Sequence, residues 1–380
     1  MSYISGYTRY LDGLPWATTC GLQVDSAGDV VPGGEAPEPQ GDLIPAVHED
    51  SPQPRRKRVL RRVFIVVGLV LAVLIAGTFA LLMERQSAYD SNIERIPEAF
   101  PEEAERPRKV VGDAQNWLLI GSDRRPGETG FQRADTIMLV HLPADRRSVY
   151  LVGIPRDAYV AIPGRGNNKI NAAYAFGGPK LLIKTVEKLS GVRVDHFAAL
   201  DFAGFTRMTR AIGGVEVHVS REVRDPWNDV VWPQGKVVLE GEKALLFVRQ
   251  RANLPGGDFD RIKRAQAVVR AIADKVVSRG TLTNPLRLNA FLEAATKSFS
   301  VDANVTFSTL RDLALELRDV RPDDLTALTM PNDGSVTVRG ASVVKVNRQE
   351  SRALFQALAH DALDDYIEEN GGVNETGRVN

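Results

Sequence analysis

The stretch NWLLIGSDRRPGETGFQRADTIMLV, residues 116–140, places an apolar run, a charged turn and a second apolar run in succession. NWLLI reads as a short strand ending at Gly121, and DTIMLVHL reads as another. Between and beside them lie two aspartates, Asp123 and Asp135, and three arginines, Arg124, Arg125 and Arg133. Asp123 taken alone suits a surface turn. The whole set also suits a site that holds a metal ion and a phosphate together.

Working outward, SVYLVGI follows through the linker PADRR as the second arm of a hairpin, and Pro155 stops it. GPKLLIKTVEKLSG has Pro at its start, Gly at its end and Leu182, Val186 and Leu189 on one face, which predicts a helix. FAGFTRMTRAIGG reads as a helix and VEVHVS alternates as a strand. Ile262, Ala265, Val269, Ile272 and Val276 recur at spacings of three and four, so a helix begins near Asp260, which is expected as its N-cap. VTFSTLRDLALELRDV and ESRALFQALAHDAL are further helices. Strands and helices alternate around at least one hairpin, which predicts an α/β (mixed α+β) domain with a central mixed β-sheet flanked by helices.

Charged residues follow the apolar runs at several points. Asp123 follows WLLI, Arg133 and Asp135 precede TIMLV, and Arg156 follows LVGIP. Arg249 and Arg251 end ALLFVRQR, and Arg261 opens a helix after Gly256 and Gly257. In such sheets functional side chains gather at strand ends and helix starts. Two close carboxylates repel unless a cation sits between them. Mg²⁺ favours one or two carboxylates with phosphate oxygens, and the arginine fork matches phosphate in a bidentate way. The first turn of a helix, where Arg261 falls, also favours an anion. Asp123 as a turn residue, Arg249 and Arg251 as a solvated edge, and Lys169 and Asn171 as loop closers are the plainer readings of the same residues.

The total charge is balanced, 48 basic against 48 acidic residues, and carries no nucleic-acid signature. Its distribution is informative. RRKRVLRR, residues 55–62, holds six cations, and residues 63–83 hold no charge at all. Those 21 residues would span roughly 31 Å as a helix, about the thickness of a hydrocarbon core. A single transmembrane helix is therefore expected, with the basic side in the cytoplasm. The apolar run is too long, and too far from residue 1, for a cleaved signal peptide. The domain reading is a disordered cytoplasmic tail at 1–54, a basic juxtamembrane segment at 55–62, the span at 63–83, an extracytoplasmic stalk at 84–112, a catalytic domain at 113–362 and a C-terminal tail at 363–380. The lone cysteine, Cys20, precedes the span, so the external part is expected to fold without a disulfide. The five histidines show no zinc-type spacing.

The segments LLIGSDRR, RADTIMLVHL, LVGIPRDAYV, NKINAAYAFGG, IGGVEVHV, GKVVLEGEKALLFVRQR and GDFDRIKRAQ, in that order, resemble the LytR-CpsA-Psr family of cell-envelope proteins. The likeness runs from about 115 to 280 and continues more weakly to about 360. It implies a phosphotransferase in the bacterial cell membrane that moves an anionic glycopolymer or polysaccharide from a polyprenyl-pyrophosphate carrier onto peptidoglycan. It implies Asp123 and Asp135 at a Mg²⁺ ion, with Mn²⁺ as an alternative occupant. It implies Arg133, Arg156, Arg249, Arg251 and Arg261 at the pyrophosphate, and Arg156, Arg249, Arg251, Asp123 and Asp135 as the catalytic set. The partners implied are the lipid-linked glycopolymer, the peptidoglycan acceptor and membrane lipid. One departure is visible: the family often has Arg-Gln where this chain has Arg264 and Ala265, with Gln266 one place later. A lipid pyrophosphohydrolase and a non-catalytic binding or regulatory module remain as competing readings of the same pocket.

Overall fold

The structure, a computed structural model, describes residues 84–122, 133–278, 285–374 and 377–380. The cytoplasmic tail, basic segment and membrane span expected at 1–83 lie outside the described residues. Among the described residues no helix is long and apolar enough to cross a membrane.

The described chain opens with α1 (84–92) and β1 (Glu94–Ile96), then β2 (Gln115–Ser122), β3 (Ala134–Leu142) and β4 (Val149–Gly153). A small hairpin, β5 (Tyr159–Ile162) with β6 (Gly166–Lys169), leads to α2 (Asn171–Ser190), β7 (His196–Asp201) and α3 (Phe202–Ala211). Next come β8 (Val215–Val219), a ribbon of β9 (Val223–Asp225) and β10 (Val230–Trp232), β11 (Gly235–Leu239), α4 (Gly241–Arg249) and α5 (Asp258–Ser278). The chain continues through α6 (Pro285–Thr296), β12 (Phe299–Asp302), α7 (Phe307–Glu316), β13 (Leu325–Thr329), β14 (Asn332–Val338) and β15 (Ala341–Val346). It closes with α8 (Arg348–Ala359) and α9 (Leu363–Asn370).

Seven strands form one sheet in the order β1-β12-β7-β2-β3-β4-β13. β2 is antiparallel to β3 and parallel to β7, so the sheet is mixed, as the pattern of strands and helices predicts. Side chains alternate between the faces of a strand. In β2, Leu118 and Ile120 enter one core, where they meet Leu182 and Val186 of α2 and Phe355 of α8. Trp117 enters the other, and in β4 Val152 and Leu151 divide in the same way. Both faces of the sheet are covered, so its central strands are apolar runs with little polar alternation. A third core, under β8 and β11, holds Phe247 of α4 and Val268 of α5.

Two boundaries differ from the sequence reading. Residues 84–112, expected as a stalk, are part of the domain: β1 pairs with β12, and Tyr89, Ile93 and Ala99 are buried. The polar surroundings of Pro97, Pro101 and Pro107 hid an ion pair with most of its surface covered. Arg106 donates to Glu187 Oε1 at 2.7 Å, with side chains 7% and 3% exposed, and its guanidinium lies 4.6 Å from the Phe100 ring centre. Glu187 also accepts from the Val194 amide at 3.0 Å. Arg106→Ala leaves that carboxylate buried without its cation, and the expected loss is about 3–5 kcal/mol in denaturant unfolding. A loss below about 1 kcal/mol, the range of an exposed pair, would show that the segment is not held in this way. The second boundary is at 363–380, expected as a tail, where α9 and a returning segment are built into the domain. The Val379 amide donates to the His218 carbonyl at 2.9 Å, and the Asn374 amide donates to the Ala327 carbonyl.

Candidate active site

One end of the central strands gathers the charged residues. Ser122, at the end of β2, stands opposite Ala134 of β3 on one side and Asp201 of β7 on the other. The β2–β3 register shifts here: Gly121 faces Thr136, then Ser122 faces Ala134, which leaves Asp135 as the extra residue. A bulge of this kind bends the strand and re-aims a side chain. β4 ends beside this point, and Pro155 leads directly into Arg156. The Arg156 carbonyl accepts from the Asn171 amide at 3.1 Å, and Lys169 pairs with Asp157 at 3.1 Å. Lys169 and Asn171 thus close the loop that carries Arg156.

α5 brings the second half. Gly257, at φ 53°, turns the chain into the helix. The helix starts at Asp258, so Asp260 lies inside the first turn and is not its N-cap; its Oδ2 accepts from the Gly256 amide at 2.9 Å. Arg261 is 5% exposed and reaches Asp258 at 3.1 Å and Asp135 at 3.8 Å. Arg156 Nη1 donates to Asp135 Oδ1, and its Nε lies 3.6 Å from Asp258 Oδ1. Arg251 Nε lies 3.9 Å from the same oxygen. Three guanidinium groups therefore meet two carboxylates, leaving an excess of positive charge. Burial pushes the Arg261 pKa down to about 10 against the pull of Asp258, with Arg156 and Arg251 lowering it further and Asp135 opposing them. It remains a cation at neutral pH, in a place where an anion is favoured.

Two atoms at the centre, Arg156 Nε and Asp258 Oδ1, are buried and make no hydrogen bond. A buried polar atom without a partner carries a desolvation penalty, which a bound group at this place would offset. A donor on a guanidinium and an acceptor on a carboxylate are what an oxygen-rich anion and a hard cation would each engage.

The structure thus brings together Arg156, Arg251, Arg261 and Asp135 of the expected set. Arg249 ends α4 at the same end and lays its guanidinium 4.4 Å from the ring centre of Phe202, the residue after β7. Arg133, just before β3, is exposed. Asp123, with Arg124 and Arg125, lies outside the described residues. Asp258 was missed by the sequence reading, although it stands three places before Arg261 and such pairs meet on one helix face. Gln266 does not extend the site. It is fully buried, and its amide donates to the carbonyls of Leu151 at 2.9 Å and Leu328 at 2.8 Å. Among the described residues no three or more His, Cys, Asp or Glu side chains gather as a metal site. A Mg²⁺ ion held by one or two carboxylates and by phosphate oxygens needs no such group.

The model of the LytR_cpsA_psr family matches residues 83–360, and the chain belongs to that family. Among relatives, it is 35% identical over 277 residues to a probable cell wall biosynthesis protein, LcpB, of Corynebacterium glutamicum, a match covering 70% of this chain and 65% of that protein. The chain thus spans somewhat less than two thirds of that relative's length. It is 29% identical over 314 residues to TagU of Enterococcus faecalis, named a polyisoprenyl-teichoic acid–peptidoglycan teichoic acid transferase, covering 80% of this chain and 96% of that one. Among solved structures, TagT bound to LI-WTA shares the fold with a TM-score of 0.56 at 25% identity, covering 69% of this chain and 98% of that one.

Proposed function

We propose that this chain is a Mg²⁺-dependent phosphotransferase that moves a glycopolymer from a polyprenyl-pyrophosphate carrier onto peptidoglycan, releasing polyprenyl phosphate. The observation that carries this reading is the cationic cluster of buried Arg261, half-buried Arg156 and the more exposed Arg251, with a guanidinium nitrogen and a carboxylate oxygen left without hydrogen bonds. Membership of the family and the transferase name of the TagU relative support it. The arginines hold the diphosphate and stabilise charge that builds on the leaving phosphate. Arg133 and Arg249 extend the positive edge toward the carrier. An acceptor hydroxyl oxygen loses its proton, to the departing phosphate or to water, and forms a bond to the phosphorus bearing the glycopolymer; the bond from that phosphorus to the bridging oxygen breaks, and polyprenyl phosphate leaves. Asp123 and Asp135 would hold Mg²⁺, or Mn²⁺ in its place, and the bound ion supplies positive charge to the diphosphate oxygens. Residues 63–83 anchor the protein in the bacterial cell membrane, with 1–62 in the cytoplasm and the domain outside, beside a lipid-borne substrate.

The test uses the full chain in lipid vesicles with a polyprenyl-pyrophosphate-linked glycan. With peptidoglycan and Mg²⁺ present, polyprenyl phosphate and a peptidoglycan-linked glycan are expected in equal amounts, and EDTA is expected to abolish both. Release at an equal rate without peptidoglycan would make the protein a hydrolase. Retention of the labelled carrier with no release would make it a binding module.

A further inference from the structure

Arg264 is fully buried one turn beyond Arg261 on α5. Its Nη1 donates to the Phe247 carbonyl at 3.1 Å and to Gln250 Oε1 at 2.8 Å. Its Nε donates to the main-chain oxygen of Asn380, and its guanidinium lies 4.1 Å from the ring centre of Phe247. The Phe247 carbonyl belongs to the last turn of α4, where carbonyls lack partners inside the helix. Gln250 is the residue between Arg249 and Arg251. It is 2% exposed, and its amide is held at both ends: Oε1 also accepts from Trp232 Nε1 at 2.6 Å, and Nε2 donates to the Ala252 carbonyl at 2.8 Å. The returning segment adds a second tie to the same helix. Asn374 donates to Gln266 Oε1 at 2.9 Å and to Thr329 Oγ1 at 2.8 Å.

We propose that Arg264 is a positioning residue for the diphosphate site: with Gln250 and the main-chain oxygen of Asn380 it fixes the turn carrying Arg249 and Arg251 against the helix carrying Arg261. The inference rests on the proposed phosphotransferase reading and adds residues that touch no substrate. Nε and Nη1 together hold three fixed acceptors, which leaves the guanidinium one orientation although Nη2 has no partner, and the planar fork of arginine cannot be copied by the point charge of lysine. Guanidinium groups that must meet one diphosphate tolerate little error in their spacing, since a shift of about 1 Å can cost roughly a hundredfold in rate.

Three full-length variants test this: Arg264→Lys, Gln250→Ala and the double variant. Turnover of the lipid-linked substrate gives kcat and KM, calorimetry with inorganic pyrophosphate gives Kd, and circular dichroism gives the folded fraction and Tm. Arg264→Lys is expected to stay folded at 25 °C, to lose ten- to a hundredfold in kcat per folded molecule, and to bind pyrophosphate at least tenfold more weakly. Gln250→Ala acts on the other end of the same link and should behave alike, and the double variant should lose no more than the worse single one. If Arg264→Lys does not fold, Gln250→Ala alone decides. A lowered Tm with unchanged kcat and Kd per folded molecule would overturn the proposal, and so would simple addition of the two losses. Wild-type protein that binds pyrophosphate but never turns over the carrier would sink the transferase reading instead, and the Kd comparison would still decide the role of Arg264.

Discussion

Arg156→Ala is expected to lower the rate of glycopolymer transfer by about 10²–10³, the usual cost of removing one donor that stabilises developing charge. The reason is local. Arg156 binds Asp135 through Nη1 and holds its Nε buried, without a partner, 3.6 Å from Asp258 Oδ1. Removing it takes away a cation and a free donor at once, and leaves Asp135 with Arg261, and Asp258 with Arg261 and Arg251. The loss should fall mainly on kcat, because the interaction is strongest when negative charge collects on the leaving phosphate. Initial-rate release of polyprenyl phosphate, measured with the full chain and peptidoglycan, checks it. A rate within threefold of wild type would remove Arg156 from the chemistry.

Gly153→Ala should be nearly as damaging from a position that never meets the substrate. Gly153 ends β4 where α5 crosses the sheet. A Cβ there would overlap the Cγ2 of Ile262 and come within 3.2 Å of Gln266 Nε2. Ile262 follows Arg261, so the helix cannot back away without moving that guanidinium from Asp135 and Asp258. The overlap is expected to cost about 1–3 kcal/mol in stability. The displaced arginine is expected to cost about a hundredfold in kcat. Thermal unfolding and single-turnover rates, measured together, separate the two effects. A variant that unfolds several degrees lower yet transfers at the wild-type rate would show that α5 can shift without disturbing the site.

The legible part of this protein was written in local patterns. WLLI, TIMLV and YLVG are apolar on both faces, and they do occupy the middle of a doubly covered sheet as β2, β3 and β4. The periodic residues from Ile262 to Val276 do form a helix with Arg261 in its first turn, and Lys169 and Asn171 do close a loop. What failed to show involved partners distant in sequence. Arg106 lies in a stretch that looked like a solvated linker, and its partner Glu187 is 81 residues away. ALLFVRQR read as an apolar run, yet most of it lies in α4, which sets Arg249 above Phe202. Asp260 looked like the cap and Asp258 was passed over, while the folded chain places Asp258 against three arginines.

By itself, then, the amino-acid order determined the kind of elements, the strand-to-turn positions of most charged residues and the motif order of the family, because these depend on spacing along one stretch of chain. Only the tertiary structure decided which charges meet. A single-residue bulge between β2 and β3 frees Asp135 from pairing, the bare backbone of Gly153 lets α5 come close enough for Arg261 to reach it, and buried Arg264 joins that helix to the turn of Arg251. Asp135 and Gly153 meet α5 across more than a hundred residues of chain, a contact set by packing, for which no local pattern carries a signal.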